Sequence, residues 1–191
     1  MNIKINKVCF KSKHCYLAFI LGVFAMTVSG YDRITGEPFA SRSEVIGQNG
    51  MVATSHPLAT QIGLDILKKG GTAIDAAIAA NIALGLMEPT GNGIGGDLFA
   101  IVWDAQSKQL YGLNASGPAP KNISIDYFKS KNLDKIPSYG PLPVTVPGAV
   151  DGWVKLHEKF GNQEFSSLFK PTIDYALNGF PVTETIAYYL A

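Results

Sequence analysis

Cysteine is almost absent from this chain of 191 residues. Its two cysteines, Cys9 and Cys15, both lie near the N-terminus, in a segment that we predict to be removed. The rest of the chain therefore has no disulfide, no thiol nucleophile and no cysteine ligand for a metal. Enzyme classes that depend on thiol chemistry are excluded for that part of the chain.

Histidine and charged residues are also scarce. The three histidines, His14, His56 and His157, do not have the spacing of metal ligands. We interpret His56 and His157 as structural or solvated, and we predict no metal and no cofactor. Charged residues make up only 16% of the chain and form no extended basic surface, so nucleic acid is not an expected partner.

The first thirty residues have the pattern of an export signal. Four lysines precede an uncharged run from Cys15 to Val28, and Val28 and Gly30 suit the −3 and −1 positions of a cleavage site. This predicts a signal peptide over residues 1–30, cleavage after Gly30, and a periplasmic or extracellular protein. The alternative is an uncleaved membrane anchor, although the run is short for the ~20 residues of a spanning helix. In both cases the chain contacts a membrane only through this segment.

The rest of the chain divides into a short arm and a domain. Residues 31–49 are polar, contain Pro38 and show no periodicity, which predicts a linker or arm. The domain spans residues 50–191. It opens with a short apolar run, Met51–Thr54, which predicts a buried strand.

Two helices are predicted at the start of the domain. The first begins at Pro57, where the missing N–H of proline costs nothing. The second spans residues 73–87 and is preceded by a capping box formed by Thr72 and Asp75. It is apolar on every face apart from Asp75 and Asn81, which predicts burial on all sides.

A glycine loop follows the second helix. Gly91, Gly93 and Gly96 match the dinucleotide-binding pattern, but that pattern requires a strand before the loop and a helix after it. Here a helix precedes the loop and a strand is predicted to follow, so a nucleotide site is excluded. For Asp97, at the end of this loop, we expect a loop-capping role.

The remaining pattern predicts a mixture of strands and helices. Residues 98–103 and 109–113 read as a hairpin. Further helices are predicted to begin near Ile125, near Gly148, near Ser166 and at Thr183, the last still running at Ala191. The fold class expected from the residues alone is α/β or α+β.

Several short motifs follow one another in a specific order. They are the segment Gly50–Ala77 (GMVATSHPLATQIGLDILKKGGTAIDAA), Glu88-Pro89, Gly93-Ile94-Gly95-Gly96, Ala119-Pro120, Val146-Pro147-Gly148 and Ala176-x-x-Gly179-Phe180. Together they resemble the gamma-glutamyltransferase (glutathione hydrolase) family over residues 48–191. An ordered set of this length is far more specific than any one of its motifs.

The resemblance implies the N-terminal part of an αββα N-terminal-nucleophile hydrolase sandwich, made as one longer proenzyme. The precursor would cut itself before a threonine, whose hydroxyl then attacks a gamma-glutamyl amide with its own α-amine as base. Backbone N–H groups would stabilise the oxyanion. By this resemblance the threonine lies beyond Ala191, in a C-terminal small subunit that is the partner of this chain. The chain is then a truncated large-subunit fragment with no catalytic residue, expected to be inactive alone.

One motif departs from the family pattern. Typical members have an Asp-x-Arg-Glu-x-Ala-Pro segment whose arginine pairs with the α-carboxylate of the substrate. Here the stretch runs from Asn114 to Pro120 as Asn-Ala-Ser-Gly-Pro-Ala-Pro, which places Ser116 at the arginine position. A serine cannot form a bidentate ion pair. Asn114 and Ser116 are our candidate substrate-binding residues, and Ser116 as a plain turn residue is the competing interpretation.

Three functions remain open at this stage. The leading one is part of a glutathione hydrolase-like proenzyme that acts on gamma-glutamyl compounds. The second is a related amidohydrolase or acylase that uses the same threonine chemistry on another small amide, as Asn-x-Ser-Gly-x-Ala-Pro sequences suggest. The third is a non-catalytic exported remnant.

Overall fold

The computed structural model describes Asn6, Lys7 and residues 45–191. The predicted signal peptide over residues 1–30 lies outside the described residues apart from Asn6 and Lys7, and so does most of the predicted linker over residues 31–49. Neither segment is therefore tested by the structure. Within the described residues, no helix has both the length and the hydropathy needed to cross a membrane.

The described residues form three strands and a series of helices. The elements are β1 (Asn6–Lys7), α1 (Pro57–Lys68), α2 (Ala73–Met87), β2 (Leu98–Asp104), β3 (Gln109–Ala115), α3 (Ile125–Ser130), α4 (Ala149–Phe160), a 3₁₀ helix (Phe165–Leu168), α5 (Lys170–Asn178) and α6 (Glu184–Leu190). The mixed helix and strand class is confirmed. The predicted helix near Ser166 is divided, since it starts as the 3₁₀ helix and continues as α5.

Local signals set the ends of α1 and α2. The His56 ring accepts a hydrogen bond from the Leu58 N–H at the start of α1. Gly70, with φ +82, follows the end of α1 in the left-handed conformation that glycine adopts without strain. The predicted capping box is confirmed, because Thr72 and Asp75 bond each other's backbone N–H groups. Helix α2 has the predicted bounds.

The core lies between α2 and the elements around it. Helix α1 packs along α2, and α4, α5 and the 3₁₀ helix contact it from other sides. The buried apolar side chains of this core include those of Ile62, Ile66, Ile78, Ile82, Met87, Leu113, Trp153, Leu156 and Leu168. Helix α2 is therefore the central element of the described structure.

Burial of α2 on all sides was predicted, and within the described residues one face is open. Ala73 and Ala77, one turn apart, are exposed. They line an open groove of about 320 Å³ between α2 and residues 51–54. Leu67 of α1 also lines the groove, and the small alanine side chains leave it unfilled within the described residues.

The predicted strand over residues 51–54 was also wrong. These residues form neither helix nor strand, and Met51 is 58% exposed. A strand needs a neighbour to pair with its backbone groups. The described sheet has the order β1-β3-β2, and residues 51–54 lie outside it.

The hairpin of β2 and β3 has two different faces. Leu98 pairs with Ala115 and Ala100 with Leu113, and this face packs toward the helices. Phe99, Ile101 and Trp103 alternate with them and are 61–81% exposed. One face of the sheet is therefore covered by helices and the other is an apolar surface open to solvent in the described structure.

Candidate functional site

The two candidate substrate-binding residues lie in a turn at the end of β3. Asn114 belongs to the last part of β3, and Ser116 follows directly after the strand. The Asn114 Oδ1 atom accepts a hydrogen bond from the Ser116 N–H at 3.0 Å. This Asx turn occupies the amide oxygen of Asn114. Its Nδ2 group and the Ser116 hydroxyl make no hydrogen bond with another side chain within the described part of the chain.

A second segment holds this turn in place. Gly117 has φ +76, and a Cβ atom on it would lie 1.7 Å from the Val146 carbonyl oxygen. A Cβ atom on Gly148 would lie 2.1 Å from the Ala115 carbonyl oxygen. The Val146 N–H also donates to the Pro118 carbonyl at 2.9 Å. The turn over residues 115–118 and the segment over residues 146–148 therefore meet backbone to backbone, with glycine required on both sides.

The glycine loop joins the same cluster. The N–H groups of Gly148 and Ala149, at the start of α4, donate to the Gly96 carbonyl at 3.2 and 3.1 Å. The Thr145 hydroxyl donates to Asp97 Oδ1 at 3.2 Å. This hydrogen bond joins the end of the glycine loop to the segment over residues 145–149. The observed order, helix then loop then strand, agrees with the exclusion of a dinucleotide site.

Three segments thus converge at one end of the hairpin. They are the glycine loop over residues 91–97, the turn over residues 114–118 and the segment over residues 145–149, and we call them together the turn cluster. Its two candidate side chains, Asn114 and Ser116, are neutral. Such groups can orient an amide or a hydroxyl by hydrogen bonds, but they cannot neutralise a carboxylate.

The opposite end of the hairpin carries an acidic side chain, Asp104, at its turn. There the pKa of the Asp104 carboxyl lies below its ordinary value, mainly because the Ser107 hydroxyl donates a hydrogen bond to it. The backbone N–H groups of Gln106 and Ser107 donate as well. These contacts stabilise the hairpin turn and leave the carboxylate no acid–base role that the geometry supports.

The remaining histidines have structural surroundings. His56 is 2% exposed and caps α1. His157 Nε2 lies 2.7 Å from the Gln163 carbonyl oxygen, an atom that can only accept, so the ring donates there. Within the described residues, no group of three His, Cys, Asp or Glu side chains is placed to hold a metal ion.

The sequence analysis missed the contacts that build the turn cluster. Gly148 was noted as part of a motif, but its contact with Ala115 joins residues far apart in the chain. Trp153 was not singled out, although its Nε1–H donates to Asn81 Oδ1 at 2.8 Å. The available signal was the polar Asn81 in a helix that is otherwise apolar apart from Asp75, since an amide removed from water requires hydrogen-bond partners.

Known proteins resemble this chain along most of its length. Residues 59–191 match the family described as gamma-glutamyltranspeptidase. The glutathione hydrolase proenzyme of Bacillus subtilis strain 168 is 40% identical over 146 residues, which cover 74% of this chain and 25% of that protein. The chain spans about a quarter of the length of this curated relative.

Solved structures agree with the sequence match. The gamma-glutamyltranspeptidase of Helicobacter pylori is 34% identical, with a TM-score of 0.71 over 78% of this chain and 43% of that chain. A cephalosporin acylase from Bacillus halodurans is 50% identical, with a TM-score of 0.73 over 81% of this chain and 29% of that chain. The N-terminal-nucleophile hydrolase fold expected from the resemblance is confirmed. This chain belongs to the gamma-glutamyltranspeptidase family.

Proposed function

We propose that this chain is the large-subunit part of a proenzyme that hydrolyses the amide bond of a gamma-glutamyl compound or another small acyl amide. The observation that carries the proposal is the family match over residues 59–191, whose curated relative from Bacillus subtilis is named a proenzyme. The nucleophilic threonine, its α-amine as base and the oxyanion donors belong to the partner small subunit in this proposal. The large subunit contributes the turn cluster, which holds the acyl group.

Two substrate classes are compatible with the family, and one residue of the turn cluster bears on the choice between them. A gamma-glutamyl group carries an α-carboxylate, which a cation binds best. At the position where the family resemblance puts an arginine, this chain has the neutral Ser116. That residue favours the second candidate function, an acylase acting on acyl groups without this carboxylate. The 50% identity with a structure named cephalosporin acylase supports the same candidate.

The first experiment measures substrate preference in the full-length protein. We expect gamma-glutamyl and gamma-aminobutyryl anilides, which differ only in the α-carboxylate, to have values of kcat/KM within about threefold of each other. In Ser116→Arg the ratio should shift toward the gamma-glutamyl substrate by about tenfold to a hundredfold, because a charge-assisted hydrogen bond contributes about 1.5–3 kcal/mol. Steady-state kinetics on both substrates gives the ratio directly.

Gln106→Arg is the matched control for this experiment. It adds the same charge at the exposed far end of the hairpin, away from the turn cluster. We expect no change in the substrate ratio. A strong gamma-glutamyl preference in the native protein would show that another residue binds the carboxylate and that Ser116 has no role in specificity. Absence of hydrolysis of either anilide and of any related acyl amide would instead favour the non-catalytic remnant.

We also propose that the protein is exported and that residues 1–30 are removed. The support is the basic segment, the uncharged run and the small residues around Gly30. Expression in a bacterial host with fractionation should place the mature protein outside the cytoplasm, and N-terminal sequencing should begin at Tyr31. A protein that stays in the membrane fraction and starts at Met1 would identify the segment as an anchor.

A further inference from the structure

Asn81 is the one uncharged polar side chain on α2, which is otherwise apolar apart from Asp75. An amide inside an apolar helix costs free energy unless its groups find partners. The Asn81 side chain accepts a hydrogen bond from Trp153 Nε1 at 2.8 Å. Trp153 is 3% exposed and Asn81 is half-buried, so the donor side of this bond is shielded from water. The bond joins α2 to α4 in the core.

The same residue also holds the glycine loop. The Asn92 Nδ2 group donates to the backbone carbonyl of Asn81 at 2.8 Å, and the two side-chain amides approach each other at 3.5 Å. The other end of the loop, Gly96, is bonded to the first N–H groups of α4. The loop therefore lies between α2 and α4 and is attached to both. A shift of α4 along α2 would displace it.

Helix α4 in turn fixes the turn that carries Asn114 and Ser116. A Cβ atom on Gly152 would lie 2.9 Å from the Ala115 Cβ atom, and one on Gly148 would lie 2.1 Å from the Ala115 carbonyl oxygen. Because these contacts are so close, the start of α4 cannot move toward the end of β3 without a steric clash. Trp153, next to Gly152, is the side chain that Asn81 holds. A shift of α4 relative to α2 would therefore displace the turn.

We infer that Asn81 is a positioning residue for acyl-group binding. Its side chain acts through Trp153 and α4 on the turn with Asn114 and Ser116, and through the bonds of α4 to Gly96 on the glycine loop. The inference rests on the proposed function, because it takes the turn cluster as the acyl-binding surface. Asn81 itself touches neither Asn114 nor Ser116 through any hydrogen bond in the described structure.

Kinetics of the full-length protein test the role of the side-chain acceptor. Asn81→Leu removes the acceptor of the Trp153 N–H, and Asn81→Asp keeps it. A buried hydrogen bond contributes about 0.5–1.5 kcal/mol, so we expect Asn81→Leu to raise KM about threefold to tenfold while kcat changes less than twofold. Asn81→Asp should restore KM to within about twofold of the native value. Trp153→Phe, which removes the donor together with part of the buried ring system, should raise KM at least as much as Asn81→Leu.

Ile66→Val is the control for a loss of stability alone. Ile66 is a buried core residue of α1 whose side chain makes none of the hydrogen bonds of this network, and its truncation costs about 0.5–1.5 kcal/mol. An equal rise of KM in Ile66→Val and Asn81→Leu, or an unchanged KM in Asn81→Leu, would overturn the inference.

Hydrogen exchange separates this inference from the proposed function. In Asn81→Leu we expect peptides covering residues 91–97 and 113–118 to exchange several-fold faster than in the native protein, with peptides of α1 unchanged. This result supports the positioning role even where no anilide is hydrolysed, a finding that would count against the proposed function alone. Unchanged exchange in both peptides overturns the positioning role, whatever the activity.

Discussion

Gly117→Ala is expected to abolish the soluble, folded full-length protein or to lower its free energy of unfolding by about 2–5 kcal/mol. The positive φ of +76 alone costs a residue with a Cβ atom about 1–2 kcal/mol. The added methyl group would also lie 1.7 Å from the Val146 carbonyl oxygen. Backbone cannot rotate away as a flexible side chain can, and overpacking of this kind costs about 1–3 kcal/mol. Urea denaturation of the purified protein measures the change.

Gly140→Ala separates the two causes. Gly140 has a similar φ of +89, but a Cβ atom on it would meet no atom within 4 Å. We therefore expect this control to lose only the backbone part, about 1–2 kcal/mol. If both variants lose the same free energy, the close contact between residues 117 and 146 does not contribute, and the turn cluster is looser than its geometry implies.

Sequence reasoning succeeded where the signal was local. The bounds of α2 followed from the capping box at Thr72 and Asp75 and from the length of the apolar run, both of which act within one segment. The hairpin of β2 and β3 followed from two short apolar runs separated by polar turn residues. Both outcomes depend on interactions between residues close in sequence.

The failures concern contacts between distant segments. Residues 51–54 have the composition of a strand, but whether a strand forms depends on a partner that composition does not specify. The apolar pattern of α2 predicted cover on every side, yet Ala73 and Ala77 remain open, because periodicity does not show what lies opposite a face.

The candidate site shows the same division. Asn114 and Ser116 could be singled out from the order of motifs, and the structure places them in one turn. The close backbone contacts of Gly117 with Val146 and of Gly148 with Ala115 could not be predicted, since no local sequence pattern shows that these two segments are neighbours in space. Their role in substrate binding stays a prediction that the Ser116→Arg experiment tests.

Asp75→Ala is expected to lower the free energy of unfolding of the full-length protein by about 3–5 kcal/mol, because it leaves several backbone donors without an acceptor. The carboxylate is fully buried and accepts hydrogen bonds from the backbone N–H groups of Thr72, Asn162 and Gln163 at 2.8–3.3 Å. Without it these donors lose their partner in the interior, and each unsatisfied group costs about 1–3 kcal/mol. The same change detaches the loop after α4 from the start of α2.

Asp75→Asn and Asp65→Asn complete the test. The three backbone donors all reach Asp75 Oδ2, where an amide could place its one oxygen. Its NH₂ group would then take the Oδ1 position, which faces the Asn162 N–H at 3.3 Å, another donor. We therefore expect Asp75→Asn to lower the free energy of unfolding measurably, but by less than Asp75→Ala does. Asp65 on α1 contacts Gln61 and Lys68 near solvent, so Asp65→Asn should change the free energy of unfolding by less than about 0.5 kcal/mol. Equal urea midpoints for Asp75→Asn and the native protein would mean that shape, and not the negative charge, holds this junction together.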